Sequence, residues 1–484
     1  MNRYDLIIIG GGVVGTAIAR EAARYKLKIA ILEKEAELAF GVSKSNSGII
    51  HPGIQDPPTS LKGRLCVQGN RLTRKIAQEL GVDFKQVGEL VVAFDEREVA
   101  RLLQLKRQGR MLGVPGLKMV DRRWLSVHEP NLSPLVVAAL YAPTAGIVSP
   151  YRLVYALAEN AVKNGVEIHI ETGVERIVFQ KASSFLPHPG FEISTSKGTF
   201  KTRFLVNAAG LLADEIAGLV GIDDFKITPR KGEEFLLDKK KADMSRHLIF
   251  PVPTENSKGV IVIKTADGNP MIGPTAEDIE DKSDLSTSDE GLKKVFALAR
   301  RMLPQVSESD IIAYFAGLRP VAGEDFIIRY EAGVPGLLTV AGIQSPGLTS
   351  APAIALLAAD LLKKNGLMLK KRTFFHSHRK KTVHLFAVPF NRTKRLIKKD
   401  PGYGDIVCRC EMVSAKEIKD AILRGARTLD GIKFRTRAQA GRCHGSFCTT
   451  RLLKILSSEL QKPLTEITKR GRGSPIVKQD RAHA

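Results

Sequence analysis

Four of the chain's five cysteines lie near its carboxyl end as Cys408-x-Cys410, a 32-residue gap, and Cys443-x4-Cys448. Thiols in short-spaced pairs suit three chemistries: an iron–sulfur cluster, a tetrahedral zinc site or two disulfides. C-x-C is tighter than the C-x2-4-C usual in zinc modules, and nothing in the chain looks secreted, so the spacing leans toward iron. Lys and Arg flank both pairs and favour thiolate over thiol. A cluster held there moves electrons one at a time. The fifth cysteine, Cys66, sits between Leu65 and Val67 and reads as a small core residue.

The amino end carries a second pattern, Gly10-x-Gly12-x-x-Gly15, with the acidic Glu33 18 positions after the last glycine. Tyr4 to Ile9 reads as a buried strand, Thr16 to Tyr25 as a helix and Lys28 to Leu32 as a second strand. In that βαβ context each glycine has a task. The first permits the tight turn, the second lets backbone approach a pyrophosphate, and the third lets helix and strand pack closely. The helix start offers N–H groups and a positive dipole end to phosphate, and Glu33 accepts from a ribose hydroxyl.

Two further roles need residues. A guanidinium fork matches phosphate or carboxylate, which selects Arg319 in Gly317-Leu318-Arg319-Pro320 as the anion holder, with Lys231 and Lys264 assisting. Oxidation of an alcohol needs a proton acceptor with a near-neutral pKa, and His51 leads, with His247 behind it.

These residues must be positioned by more than one domain, because 484 residues exceed what one core normally organises. Hydrophobic residues at 43% and charged residues at 26% describe a globular protein. Met1-Asn2-Arg3-Tyr4-Asp5 leads straight into a strand, without a signal peptide, and no stretch reaches the roughly 18 to 20 apolar residues that span a bilayer. The expected address is cytoplasmic. The net charge of +23 crowds into Lys363 to Lys399 and the end of the chain, a pattern suiting an acidic partner, an anionic membrane surface met peripherally, or a solvated linker and tail. Nucleic acid is excluded, since no recognition motif or interleaved aromatics accompany the charge. The expected division is a domain over 1–365, a basic linker over 366–400 that lies along it through Phe374-Phe375 and Leu385-Phe386, a cysteine module over 401–468 and a disordered tail over 469–484. Ser414 with Glu417 three residues on is a capping-box signature for a helix to Leu423, and Phe447 to Leu460 reads as another helix.

Three pieces carry a family resemblance: the loop Ser43-Lys44-Ser45-Asn46-Ser47-Gly48, the strand and turn Phe204 to Gly210, and Leu337 to Ala341 running into Gly342 to Thr349. Together they resemble the glycine-oxidase and D-amino-acid-oxidase-like superfamily. The resemblance implies an α/β Rossmann-like FAD-binding domain with an interleaved α+β substrate domain. FAD would then be held by Gly10, Gly12, Val14, Gly15, Glu33, Lys34, Ser43, Ser45, Asn46, Ser47, Gly48, Val174, Ala209, Gly210, Gly342, Gly347, Leu348 and Thr349. Similar Arg-Pro sequences in the family place the arginine over the flavin face.

The cysteine spacing, with IVCRCEMV and RTRAQAGRCHGSFC around the pairs, resembles the bacterioferritin-associated-ferredoxin-like domain, a small helical [2Fe–2S] module. Within the superfamily, SNSGIIHPGI, PRKGEEF and the stretch 250–274 look like L-2-hydroxyglutarate oxidase, whereas AGLRPVAGEDFII, GIQSPGLTSAPAIA and the cysteine module look like anaerobic-type glycerol-3-phosphate dehydrogenase. The expected activity is therefore oxidation of sn-glycerol 3-phosphate to dihydroxyacetone phosphate, with electrons leaving through Cys408, Cys410, Cys443 and Cys448 to a second flavoprotein or another acceptor subunit. A 2-hydroxy-acid dehydrogenase and a non-catalytic electron-transfer subunit are the rival expectations.

Overall fold

In the computed structural model, which describes residues 2–181, 189–254 and 258–478, the first apolar run forms the strand Asn2–Ile9 at the centre of a parallel sheet. Leu337–Ala341, Gly198–Asn207, Asn2–Ile9, Ile29–Leu32 and Val166–His169 lie side by side in that order, all parallel. A parallel strand buried on both faces must be apolar along its length, and Leu6, Ile7 and Ile8 are fully buried. Truncating one of them to Ala would cost about 2–5 kcal/mol. Helices Val13–Ala22, Pro150–Lys163 and Gly347–Lys364 cover one face, and Leu61–Leu80 packs on the last of these. Each supplies a stripe of small residues such as Ala17, Ala158 and Ala351, which lets the layers approach closely. The antiparallel strands Val174–Gln180 and Gly190–Thr195 extend the sheet from the early part of Gly198–Asn207.

A second, nine-stranded sheet stands beside the first. Its spine is the long antiparallel pair Thr228–Leu237 and Ile311–Val321, in a register that sets Arg230 opposite Arg319 and Gly232 opposite Gly317. Successive side chains on a strand point to opposite faces, so Arg230, Gly232 and Glu234 share a face with Arg319, and Lys231 does not.

Residues 370–382, inside the expected linker, form a strap on the first domain. Lys26 N donates to Lys370 O, Arg372 donates to the carbonyls of Tyr25 and Leu27, and Arg24 lies over the Phe375 ring at 4.6 Å. Phe375 and Leu385 turn inward, whereas Phe374 is 82% and Phe386 57% exposed. The strap is followed by the basic helix Phe390–Lys399. Among the described residues no helix is long and apolar enough to cross a membrane.

The C-terminal module is built on helices Ala415–Leu423, Leu429–Thr436 and Thr449–Leu460, whose Ile418, Ile432, Leu452 and Leu456 form its core. The capping box forms: Ser414 Oγ accepts from Glu417 N and Glu417 Oε2 accepts from Ser414 N at 3.0 Å. The middle helix has no strong periodic signal and was not expected. Order also runs past residue 468. Lys469 N donates to Ser474 O, Thr468 bridges to Pro475 and Val477 packs on the module's core, because this loop returns to cover the helices. Residues 469–478 therefore depart from the expected disorder; 479–484 lie outside the described residues.

Glu37, 2% exposed, fastens this module to the first domain. Its carboxylate accepts from Arg427 N, Thr428 Oγ1 and, at 2.7 Å, Arg435 Nη1, while the Arg435 guanidinium stacks over Tyr155 at 3.8 Å. Gly431 sits against that carboxylate where any Cβ would collide with it. Removing one partner of a buried ion pair leaves the other charge uncompensated, at about 3–5 kcal/mol. Glu37→Ala should therefore loosen the module and accelerate proteolytic cleavage between residues 383 and 390 of the full-length protein; an unchanged cleavage rate would show that docking does not depend on Glu37.

Candidate functional site

A cavity of about 1700 Å³ runs between the two sheets and under the C-terminal module. At one end lies the glycine turn. Gly10, at φ +108°, takes the left-handed conformation that starts the tight turn, and a Cβ at Gly15 would collide with Gly10 O. Gly12 caps the helix Val13–Ala22 without a side chain. Val13 N, one of that helix's unsatisfied donors, finds Ser43 Oγ at 2.9 Å. Glu33 is buried, which pushes its carboxyl pKa up, and it accepts from Gly11 N at 2.7 Å and Glu35 N at 2.8 Å. Each carboxylate oxygen keeps lone-pair capacity for a hydroxyl donor.

Gly10, Gly12, Val14, Glu33, Lys34, Ser43, Ser45, Asn46, Ser47, Val174, Ala209, Gly210, Gly347 and Leu348 all line this cavity. Gly15, Gly48, Gly342 and Thr349 do not. Gly48, at φ +75°, is held where a Cβ would strike Val148 O, and Gly342, at φ +64°, faces Ala322. Thr349 Oγ1 accepts from His51 N at 2.9 Å, so it shapes the loop behind the cavity wall. A long apolar and polar trough that begins at an uncapped helix start and a buried acid fits a dinucleotide such as FAD.

His51 and Arg319 both line the same cavity away from the glycine turn. His51 is 3.8 Å from Glu89 Oε2 through Nδ1 and 3.5 Å from Ser345 Oγ through Nε2. Burial holds its pKa below the usual value, so the ring is neutral near pH 7 and able to accept a proton. Glu89 is fully buried, and its Oε2 has no hydrogen-bond partner, which leaves it to orient the imidazole electrostatically. Arg319 Nη2 donates to Thr275 O at 2.6 Å, and the guanidinium forms no ion pair among the described residues. Gly232 makes room for it, since a Cβ there would meet Nη2 at 2.5 Å.

The two lysines expected to assist point elsewhere. Lys231, on the opposite face of its strand, pairs with Asp284 at 2.8 Å, and Lys264 is directed to Asp243 at 3.4 Å; neither lines the cavity. His247 is held by Glu129 at 2.8 Å within a Trp124 and Tyr141 cluster and lies outside the cavity too. In their place stand Lys258, 3.4 Å from Asp56, and Glu234, whose Oε2 has no partner. Burial raises the Glu234 carboxyl to about 7, against the pull of Arg319. Strand parity from Arg319 would have picked out Glu234; Glu89 and Lys258 carry no local signal.

The four C-terminal cysteines lie as two pairs. Cys410 and Cys443 are 3.5 Å apart at Sγ, and Cys448 hydrogen-bonds Cys408, which with the backbone N–H groups of Gln439 and Glu411 holds the Cys408 thiol low. Backbone N–H groups of Gly445 and Phe447 likewise reach Cys443. Among the described residues no three Cys, His, Asp or Glu side chains converge on a single metal position. Two thiol pairs ringed by amide donors fit a two-iron cluster better than one tetrahedral ion. His444 and Ala440, beside Cys443, line the cavity, and His444 Nε2 is 2.6 Å from Ile312 O.

Comparison with known proteins accords with both ends of the chain. The model of the FAD dependent oxidoreductase family matches residues 5–361, and that of the BFD-like [2Fe-2S] binding domain matches 406–458. The chain is 42% identical over 477 residues to a glycerol 3-phosphate dehydrogenase of Caloramator mitchellensis, covering 98% of each. It is 31% identical to the mitochondrial L-2-hydroxyglutarate dehydrogenase of Nematostella vectensis, over 74% of this chain and 90% of that one. Its fold superposes on the FAD-bound L-alpha-glycerophosphate oxidase of Mycoplasma pneumoniae with a TM-score of 0.73 at 32% identity, over 78% of this chain and 98% of the other. The chain belongs to the FAD-dependent oxidoreductases and carries a C-terminal [2Fe–2S] domain.

Glu234 gives this site a pH signature. Its folded pKa lies above the ordinary carboxyl value of 4.5, so its contribution to stability is complete below pH 4.5 and is lost as pH rises through about 7. Relative to Glu234→Gln, the wild-type protein should lose about 3 kcal/mol across that window, read as the difference between their denaturation midpoints at successive pH values. A constant difference from pH 4 to 8 would place the carboxylate in contact with water.

Proposed function

We propose that this flavoprotein oxidises sn-glycerol 3-phosphate to dihydroxyacetone phosphate and passes the electrons through its C-terminal cluster to an acceptor protein. The observation that carries the reading is one cavity walled by a neutral histidine, an ion-pair-free arginine and the loop next to Cys443. FAD supplies the acceptor for the hydrogen removed from carbon, and the cluster relays electrons singly.

Arg319 binds the substrate's phosphate through the guanidinium donors that Thr275 O leaves free. His51 takes the proton of the secondary hydroxyl at Nε2, the nitrogen turned toward Ser345, while Glu89 near Nδ1 favours the imidazolium that results. Phe250, whose ring centroid is 5.9 Å from that of His51, keeps water from the base. Gly10, Gly12, Glu33, Ser43, Val174 and Ala209 hold the dinucleotide, and Cys408, Cys410, Cys443 and Cys448 hold the cluster. Cys410 is exposed and Phe447, whose backbone N–H reaches Cys443, is 83% exposed, which offers an electron outlet to a second flavoprotein or another acceptor subunit.

An L-2-hydroxy acid is the second reading, since the same arginine suits a carboxylate and L-2-hydroxyglutarate dehydrogenases are among the relatives. A relative aligned through the cysteine module carries a glycerol 3-phosphate name, which favours the first.

Purified enzyme assayed anaerobically with an artificial acceptor should turn over sn-glycerol 3-phosphate. His51→Gln should lower kcat by about 10²–10⁴-fold, and Arg319→Lys should raise KM by about tenfold or more. Turnover of L-2-hydroxyglutarate alone would overturn the substrate assignment, and a His51→Gln variant with near-normal kcat would move the base elsewhere.

A further inference from the structure

The cavity's glycine-turn end is closed from above by the C-terminal module. Lys433 and Phe434, on the helix Leu429–Thr436, and Lys469 and Arg470, on the loop after Ile467, line the same cavity as Gly12, Ser43 and Lys44. Phe434 is wedged between Phe40, at 5.7 Å between ring centroids, and Tyr151, at 5.1 Å. Gly471, at φ +112°, sits against Ala36 closely enough that a Cβ would lie 2.6 Å from the Ala36 Cβ, which pins Lys469 and Arg470 over the first domain.

Four cations thus face one space. Lys44 lies 4.4 Å from the centre of the Phe40 ring and 5.9 Å from that of Phe434, and none of Lys44, Lys433, Lys469 and Arg470 forms an ion pair among the described residues. Burial lowers the pKa of Lys44 and of Lys433. Arg470 and Lys433 lower Lys44 further, and Lys469 and Arg437 do the same to Lys433; Asp430, with Glu35 at Lys44, opposes them. Two acids offset four cations only in part, and gathering like charges in a cleft that partly buries Lys44 and Lys433 is unfavourable, so the arrangement suits an anion. The start of the helix Val13–Ala22, in the same end of the cavity, is where a dinucleotide places its diphosphate.

We propose that the C-terminal module completes the FAD diphosphate site: Lys433, Lys469 and Arg470 join Lys44 and Ser43 around the phosphates, so that the cofactor is clamped between the two domains. The module then has a cofactor-retaining role distinct from electron transfer. This inference rests on FAD binding and is independent of which alcohol is oxidised.

The test uses the full-length holoprotein. Lys433→Gln/Lys469→Gln/Arg470→Gln is compared with wild type and with Lys454→Gln, which removes an exposed cation outside the cavity. The readouts are the dissociation constant for FAD, from flavin fluorescence on dilution, its dependence on salt, and the cluster's visible absorption as a check that the module is folded. The proposal expects FAD to bind the triple variant about 10- to 100-fold more weakly, with a shallower salt dependence, an intact cluster and no change in Lys454→Gln. Unchanged FAD affinity overturns it, and so does a raised KM for glycerol 3-phosphate with unchanged FAD affinity, which would assign the cations to the substrate. Should the triple variant lose its cluster, Lys469→Gln/Arg470→Gln decides by the same readouts, and Lys433→Arg must restore near-normal retention.

Discussion

The buried carboxylate of Glu37 is the contact on which the rest depends. It stands in the first domain a few residues past Glu33, yet its hydrogen-bond partners among the described residues, Arg427, Thr428 and Arg435, come from the cysteine module. A backbone amide, a hydroxyl and a guanidinium on one desolvated carboxylate form a directional joint with little freedom to tilt. Arg437 adds a second point, with Asn269 at 3.0 Å, Asp267 at 3.7 Å and Glu411 at 3.3 Å. Burial would push the Asp267 carboxyl up, but Arg152 and Arg437 bring it to about 2, so that contact stays charged throughout the physiological range. The module forms one wall of the cavity, which puts His444, next to Cys443, in the same lining as His51 and Arg319.

Charge is distributed in that chamber by strand parity. On the long strand pair, one face carries Arg230, Gly232 and Glu234 opposite Arg319, and the other carries Lys231. Arg230 is neutralised by two hydrogen bonds to Asp278, at 2.6 and 2.8 Å, leaving the guanidinium of Arg319 for an incoming anion. Glu234, close by and about half protonated at pH 7, cancels it only in part. The result is a desolvated positive centre that strengthens when an anion closes it off from water.

What could be read from the sequence followed from how local each signal is. Gly10, Gly12, Gly15 and Glu33 announce the tight turn and helix start because the turn, the helix start and the acid lie within one βαβ unit. Ser414 and Glu417 announce a helix start for the same reason. Lys231 and Lys264 lie off the cavity because the face of Lys231 relative to Arg319 is set by a strand pairing across some 90 residues, and that of Lys264 through two intervening strand pairings, so a one-residue change of face sends a side chain to another partner. Glu37 and Glu89 were invisible for a related reason: each is a single acid in an ordinary stretch, made significant only by what burial removes and what tertiary structure brings near. The ordered loop through residue 478 was hidden by its polar, Gly-rich composition, since its partners are the module's core and Ala36.

The central claim is that substrate oxidation in the first domain and the paired cysteines share one circuit. Freeze-quench EPR after anaerobic mixing of the full-length protein with sn-glycerol 3-phosphate tests it most directly. A reduced [2Fe–2S] signal should grow in after the flavin absorption bleaches, and should be absent from Cys443→Ser although the bleaching persists. Bleaching in the wild-type protein with no cluster signal, or zinc in place of iron at the four cysteines, would contradict the account.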